Sequence, residues 1–64
     1  MNVAEALELR FEEVLEEREK SYLIMFSSTE IYWLPKSQIR ILGTRLYAPE
    51  WIIKEKDLED FVIK

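Results

Sequence analysis

The sequence predicts a mainly β domain of the α+β class. The expected form is a small twisted antiparallel sheet, or partly open barrel, of about four to five strands with a short C-terminal helix. Three observations carry this. Tyr22-Leu23-Ile24-Met25-Phe26 is an unbroken apolar run of strand formers, too short for a helix. Ile31-Tyr32-Trp33-Leu34 is a second such run, stopped by Pro35. Gly43, the only glycine, separates two further short segments. With 64 residues, the chain is read as one domain, 1–64.

The N-terminal segment, residues 3–20, is open between strand and helix. Val3, Leu7, Phe11, Val14 and Leu15 share a helical stripe, and glutamates would line the other face. Leu7, Leu9 and Phe11 also alternate as a strand would. Propensity favours helix, and no glycine or proline breaks the segment, but tertiary packing often overrides propensity. Run 22–26 reads as a strand buried on both faces. Ser27-Ser28-Thr29 is a polar interruption, so Ile31 to Leu34 reads as the returning strand of a hairpin with a loop of about three to four residues. Pro35 removes a backbone donor and holds Leu34 extended.

Ile39 and Ile41 then alternate with Arg40, and the tightest turn is expected at Leu42-Gly43-Thr44. Arg45-Leu46-Tyr47 returns, placing Arg45 near Arg40 across the pair. Two like charges there are unfavourable unless a carboxylate or an anion lies between them. Pro49 suits the first turn of a helix and Glu50 its positive end. Trp51, Glu55 and Leu58 follow at helical spacing, so a helix is expected over about 49–57. Phe61-Val62-Ile63 reads as a last strand or a docking segment.

Composition excludes several functions. There is no cysteine, so neither disulfides nor thiol chemistry are available, and no histidine, so a His-based triad or zinc site is impossible. Carboxylates alone make a poor metal site in so small a chain, and no metal or cofactor is expected. Paired carboxylates such as Glu16 and Glu19, or Asp57 and Asp60, have no spacing that marks an acid/base couple, so the chain is not read as an enzyme. No apolar run approaches the roughly 20 residues of a membrane span, and no cationic start or apolar signal region opens the chain. A cytoplasmic location is expected. Scarce Asn and Gln with abundant Glu and Ile lean towards a thermophilic source.

The net charge of −4 is unevenly spread. Residues 1–19 carry seven glutamates against two arginines, a net of −5. Residues 20–54 carry five cations against two glutamates, a net of +3. Residues 55–64 carry two lysines against four acids, a net of −2. A basic middle is flanked by acidic ends, and the plainest reading of each is a solvated face.

One part of the chain resembles a known group. It runs through Glu19-Lys20-Ser21-Tyr22-Leu23, then Ile31-Tyr32-Trp33-Leu34-Pro35-Lys36-Ser37-Gln38-Ile39, then Ala48-Pro49-Glu50-Trp51-Ile52. These stretches resemble short uncharacterised proteins of phages, plasmids and prokaryotic genomes that share a W-L-P-K-S-Q … P-E-W pattern. The likeness spans residues 14 to 58, and W-L-P-K-S-Q is its specific part. It implies a compact β structure with a short helix after P-E-W, and a strand where this chain has its helix-like residues 11–18. It implies no catalytic residue.

A non-enzymatic binding module follows, of phage, viral or mobile-element type, acting with nucleic acid or with nucleic-acid-processing proteins. The candidate residues are Trp33, Lys36, Arg40, Arg45 and Lys54, with Tyr22 and Tyr47 as further candidates. Exposed aromatics stack on bases while cations follow the backbone, which is how single-stranded DNA or RNA is held. Against this, Trp33 and Trp51 are large enough to make up much of the core of so small a domain. The overall negative charge also opposes nucleic-acid binding. The alternative is a protein-interaction or inhibitor module that meets a host protein through the acidic N-terminal face or a sheet edge. A homodimer is expected on either reading, because a small sheet has free edges and a short chain buries little surface.

Overall fold

Pairing of Leu9 with Leu46 and of Val14 with Ile24 decides the N-terminal segment in favour of strand. The computed structural model describes residues 6–63. The start of the ambiguous segment, with Val3, lies outside the described residues. The elements run β1 Ala6–Arg10, β2 Glu13–Glu17, β3 Ser21–Ser27, β4 Glu30–Pro35, β5 Arg40–Leu42, β6 Arg45–Pro49 and α1 Glu50–Lys56, with a 3-10 turn at Glu59–Phe61. They form two three-stranded antiparallel sheets, ordered β1-β6-β5 and β2-β3-β4. The architecture is mainly β, as expected, and does not close into a barrel. The strand count exceeds the expected four to five because residues 6–17 supply two strands, parted at Phe11-Glu12.

The helix-like pattern of that segment has a physical origin. A bulge at Leu15 separates the pairs Val14↔Ile24 and Glu16↔Leu23. The extra residue interrupts the period of two, so Val14 packs against the core while Leu15 and Glu16 both stay exposed. Leu9 is fully buried between Leu46 of β6 and Val62 of the C-terminal tail. Packing of these residues outweighs the helix propensity of the glutamates, which is worth only tenths of a kcal/mol per residue, roughly.

The two sheets enclose one apolar cluster. Leu9, Leu46 and Ala48 come from the first sheet and Ile24, Phe26 and Leu34 from the second; Ile39, Ile52, Ile53, Leu58 and Phe61 complete it. This corrects the reading of 22–26 as buried on both faces. Ile24 and Phe26 are buried, whereas Leu23 and Met25 on the opposite face are half-buried, because no layer covers that side among the described residues. The tryptophans also differ from the reading that made them core. Trp33 is 37% exposed and Trp51 53%, and the buried aromatics are Phe26 and Phe61, with ring centroids 5.4 Å apart.

The turns follow the sequence closely. Ser28-Thr29 links β3 to β4 as a two-residue turn, shorter than the three to four residues expected, with Ser27 opposite Glu30. Gly43 has φ +61° and, with Thr44, joins Leu42 to Arg45, a conformation that suits glycine. Pro49 ends β6 in extended conformation and caps α1, so the helix starts one residue after the expected position. At the other end Asp57 adopts the left-handed region with φ 60°. Its N–H donates to the Lys54 carbonyl, and the Leu58 N–H donates to the Ile53 carbonyl. The buried pair Ile53 and Leu58 completes this Schellman closure. The tail then lies along β1, where the Ile63 N–H donates to the Glu8 carbonyl.

Asp57 is unfavourable there twice over. An L-residue other than glycine strains in the left-handed region, and a carboxylate opposes the negative end of the helix. Asp57→Gly is expected to raise stability by about 0.5–1 kcal/mol, read as a higher urea midpoint. Asp57→Asn should recover only the electrostatic part. A midpoint lowered by both changes would mean that the carboxylate has a role this geometry does not include.

Candidate nucleic-acid interface

The outer face of the β1-β6-β5 sheet gathers charge that is scattered along the sequence. Strand alternation turns Leu9, Leu46 and Ala48 inward, which leaves Ala6, Glu8 and Arg10 on the outer face of β1. The same alternation leaves Arg45, Tyr47 and Pro49 on β6, and Arg40 and Leu42 on β5. Register does the rest. Tyr47 sits at the centre, opposite Glu8 on one side and Arg40 on the other. Arg45 sits opposite Arg10 and Leu42.

The pairing geometry brings the side chains of β1 and β6 close. The Glu8 carbonyl is turned away from β6 to accept from Ile63. Glu8↔Tyr47 and Arg10↔Arg45 are therefore non-hydrogen-bonded pairs, whose Cα atoms lie about 4.5 Å apart. Two arginines directly opposite repel. The repulsion is relieved by divergence: the Arg45 guanidinium lies 3.1 Å from the Glu8 carboxylate, and Arg10 extends over the Phe61 ring, 5.8 Å from its centroid. Arg40 is exposed diagonally across from Arg45 rather than directly opposite. Tyr47 is thus flanked in register by Arg40 and Glu8, with Arg45 two residues earlier on β6. Arg10 stands on the same face opposite Arg45, with its guanidinium turned towards Phe61. An oxyanion between Arg10, Arg45 and Arg40 would relieve the remaining like-charge contact, as the sequence reading required of Arg40 and Arg45.

The other candidates lie elsewhere. Trp33 is on the outer face of the second sheet, opposite Leu23, with the Arg18 guanidinium 4.5 Å from its ring centroid. Lys36 follows β4; its ammonium pairs with Glu17 and lies 4.8 Å from the Tyr22 ring centroid. Lys54 is on α1, 3.4 Å from Glu50, and lines a shallow groove of about 220 Å³ with Leu7, Ile53, Glu59 and Val62. So Arg40 and Arg45 share a face, whereas Trp33 and Lys36 belong to the other sheet and Lys54 to the helix. Arg10 escaped the sequence reading because it stands among glutamates in the ambiguous segment. The alternation of Leu7, Leu9 and Phe11 was the signal that places it opposite the core. No cluster of three or more carboxylates is arranged to hold a metal ion among the described residues. No helix there is long and apolar enough to cross a membrane.

Comparison with known proteins adds no relative: no family model, no curated protein and no solved structure matches the chain.

Proposed function

We propose that the chain is a non-enzymatic module that holds single-stranded DNA or RNA on the outer face of the β1-β6-β5 sheet. One observation carries this reading. Arg10, Arg40 and Arg45 share one sheet face with the half-buried Tyr47, and Glu8 is the one acidic strand residue on that face among the described residues. A flat aromatic ring stacks on a base without regard to sequence, and flanking guanidiniums follow the phosphates. Leu42, exposed at the edge of that face, offers apolar contact to a neighbouring base.

The net charge of −4 is less of an obstacle than the sequence made it. The acids of β2 belong to the other sheet, so the local field at the arginine face is set by three cations and one acid. The acidic strand has a simpler role than recognition, because charges on an edge strand keep other chains from pairing with it.

Fluorescence anisotropy of labelled oligo-dT and oligo-U tests the reading. Binding at low salt should weaken as salt rises, with a log–log slope near −2, from roughly −0.7 for each of three phosphate contacts. No anisotropy change at low salt, with the chain in large excess, would remove the proposal.

A further inference from the structure

The second sheet carries a different surface. Its outer face holds two apolar cross-strand pairs, Leu23↔Trp33 and Met25↔Ile31, with Trp33 and Ile31 exposed. Both exposed residues stand on β4, a six-residue edge strand. The other edges are blunted. β2 carries Glu13, Glu16 and Glu17 and a bulge at Leu15. β5 is three residues long. The outer edge of β1 is occupied by Val62 and Ile63. Bulges, charge, shortness and cover are the means by which sheets avoid edge pairing. Among the described residues β4 has none of these along Ile31-Tyr32-Trp33-Leu34; its protection there consists of Pro35 at one end.

We infer that β4 pairs antiparallel with β4 of a second copy of this chain, centred on Trp33, to make a six-stranded sheet. The backbone sets which groups are free. The Lys36 N–H donates to the Lys20 carbonyl, so even-numbered residues of β4 turn towards β3. Ile31, Trp33 and Pro35 turn their backbone groups outward. With Trp33 opposite Trp33 of the second copy, those two residues exchange both hydrogen bonds. Ile31 falls opposite Pro35 at each end. Pro35 has no N–H and its carbonyl already accepts from the Gln38 N–H, so the Ile31 N–H meets a shared carbonyl. The backbone bonds that define the junction are therefore the two exchanged between the Trp33 residues. Each end then brings Glu30 opposite Lys36. Charge selects this register, since moving either strand by two residues sets Glu30 against Leu34 or beyond the strand. In the single chain the Lys36 ammonium is turned inward over Tyr22 to Glu17, so meeting the Glu30 of the second copy requires the flexible lysine to swing towards the edge of β4. The apolar pairs of the two copies become one continuous strip across the joined sheet.

The test uses charge exchange in the full chain. Sedimentation equilibrium of the wild type should show a 7.8 kDa species giving way to one of twice that mass as concentration rises. Glu30→Lys sets two lysines opposite one another at each end, and Lys36→Glu sets two glutamates there. Each variant alone should dimerise more weakly, on the order of tenfold for two reversed cross-strand pairs. Mixed in equal amounts, the two are complementary at both ends. Native mass spectrometry of the mixture, with one variant isotopically labelled, should then recover heterodimers of wild-type affinity. Misfolding of a variant would not produce that recovery. A wild type that stays at 7.8 kDa to high micromolar concentration, or a mixture no tighter than the separate variants, would overturn the inference.

Discussion

Leu46→Ala is expected to remove most of the stability of this domain. Leu46 is fully buried in the central strand of its sheet, between Leu9 on β1 and Ile41 on β5. Truncating a buried leucine loses the transfer free energy of the side chain and leaves a cavity, together about 2–5 kcal/mol. Domains are stable by roughly 0.05–0.15 kcal/mol per residue, so a chain of this length has a few kcal/mol in hand and at most about ten. The variant should unfold at a much lower urea concentration, followed by far-ultraviolet circular dichroism, or fail to fold at all. Leu42→Ala is the control on the same hairpin. Its side chain is 51% exposed, and the change should cost less than about 0.5 kcal/mol. Equal losses from the two variants would contradict the assignment of inner and outer faces on which the arginine site depends.

Tyr47→Ala is expected to have the largest effect on nucleic-acid binding. Loss of one stacked base costs roughly 1–3 kcal/mol, or about 5- to 150-fold in affinity for oligo-dT. Tyr47→Phe keeps the ring and should keep most of the affinity. Arg10→Ala, Arg40→Ala and Arg45→Ala should each lower affinity and reduce the salt slope by about 0.7. Trp33→Ala provides the contrast, because its ring is on the other sheet. If Trp33→Ala weakened oligo-dT binding as much as Tyr47→Ala, the binding face would have been placed on the wrong sheet.

The elements from β3 to α1 were legible because their local chemistry is unambiguous. At its turn Gly43 takes the left-handed conformation without a Cβ penalty, Pro35 stops a strand and Pro49 marks the start of the helix, and the runs at 22–26 and 31–34 are short and rich in strand formers. The N-terminal strands were not legible. Their glutamates favour helix, no breaker marks the junction at Phe11-Glu12, and the Leu15 bulge hides the alternation of β2. Arg40 and Arg45 came together because a two-residue hairpin fixes their register within the local chain. Arg10 joins them only through the β1–β6 pairing, which no local signal encodes. Trp33 and Lys36 parted from the arginines because the turn after Pro35 carries the chain from one sheet to the other. The tryptophans stayed out of the core because aliphatic residues from both sheets and α1 already fill it.

The pinning of β1 between β6 and the tail has a kinetic consequence. The hairpins β2-β3, β3-β4 and β5-β6 join neighbours in sequence and need only short loops to close. β1 pairs with Leu46 and Val62, so its docking must await most of the rest and closes the longest loops in the chain. It should be the last strand to dock and the first to detach in native-state hydrogen exchange, with Leu9 amide protection below that of Ile24. Each such excursion would carry Arg10 and Glu8 away from Tyr47 while Arg40 and Arg45 stay on their hairpin. A bound strand that bridges Arg10 and Arg45 would suppress this opening, so ligand occupancy should be visible as slowed exchange along β1.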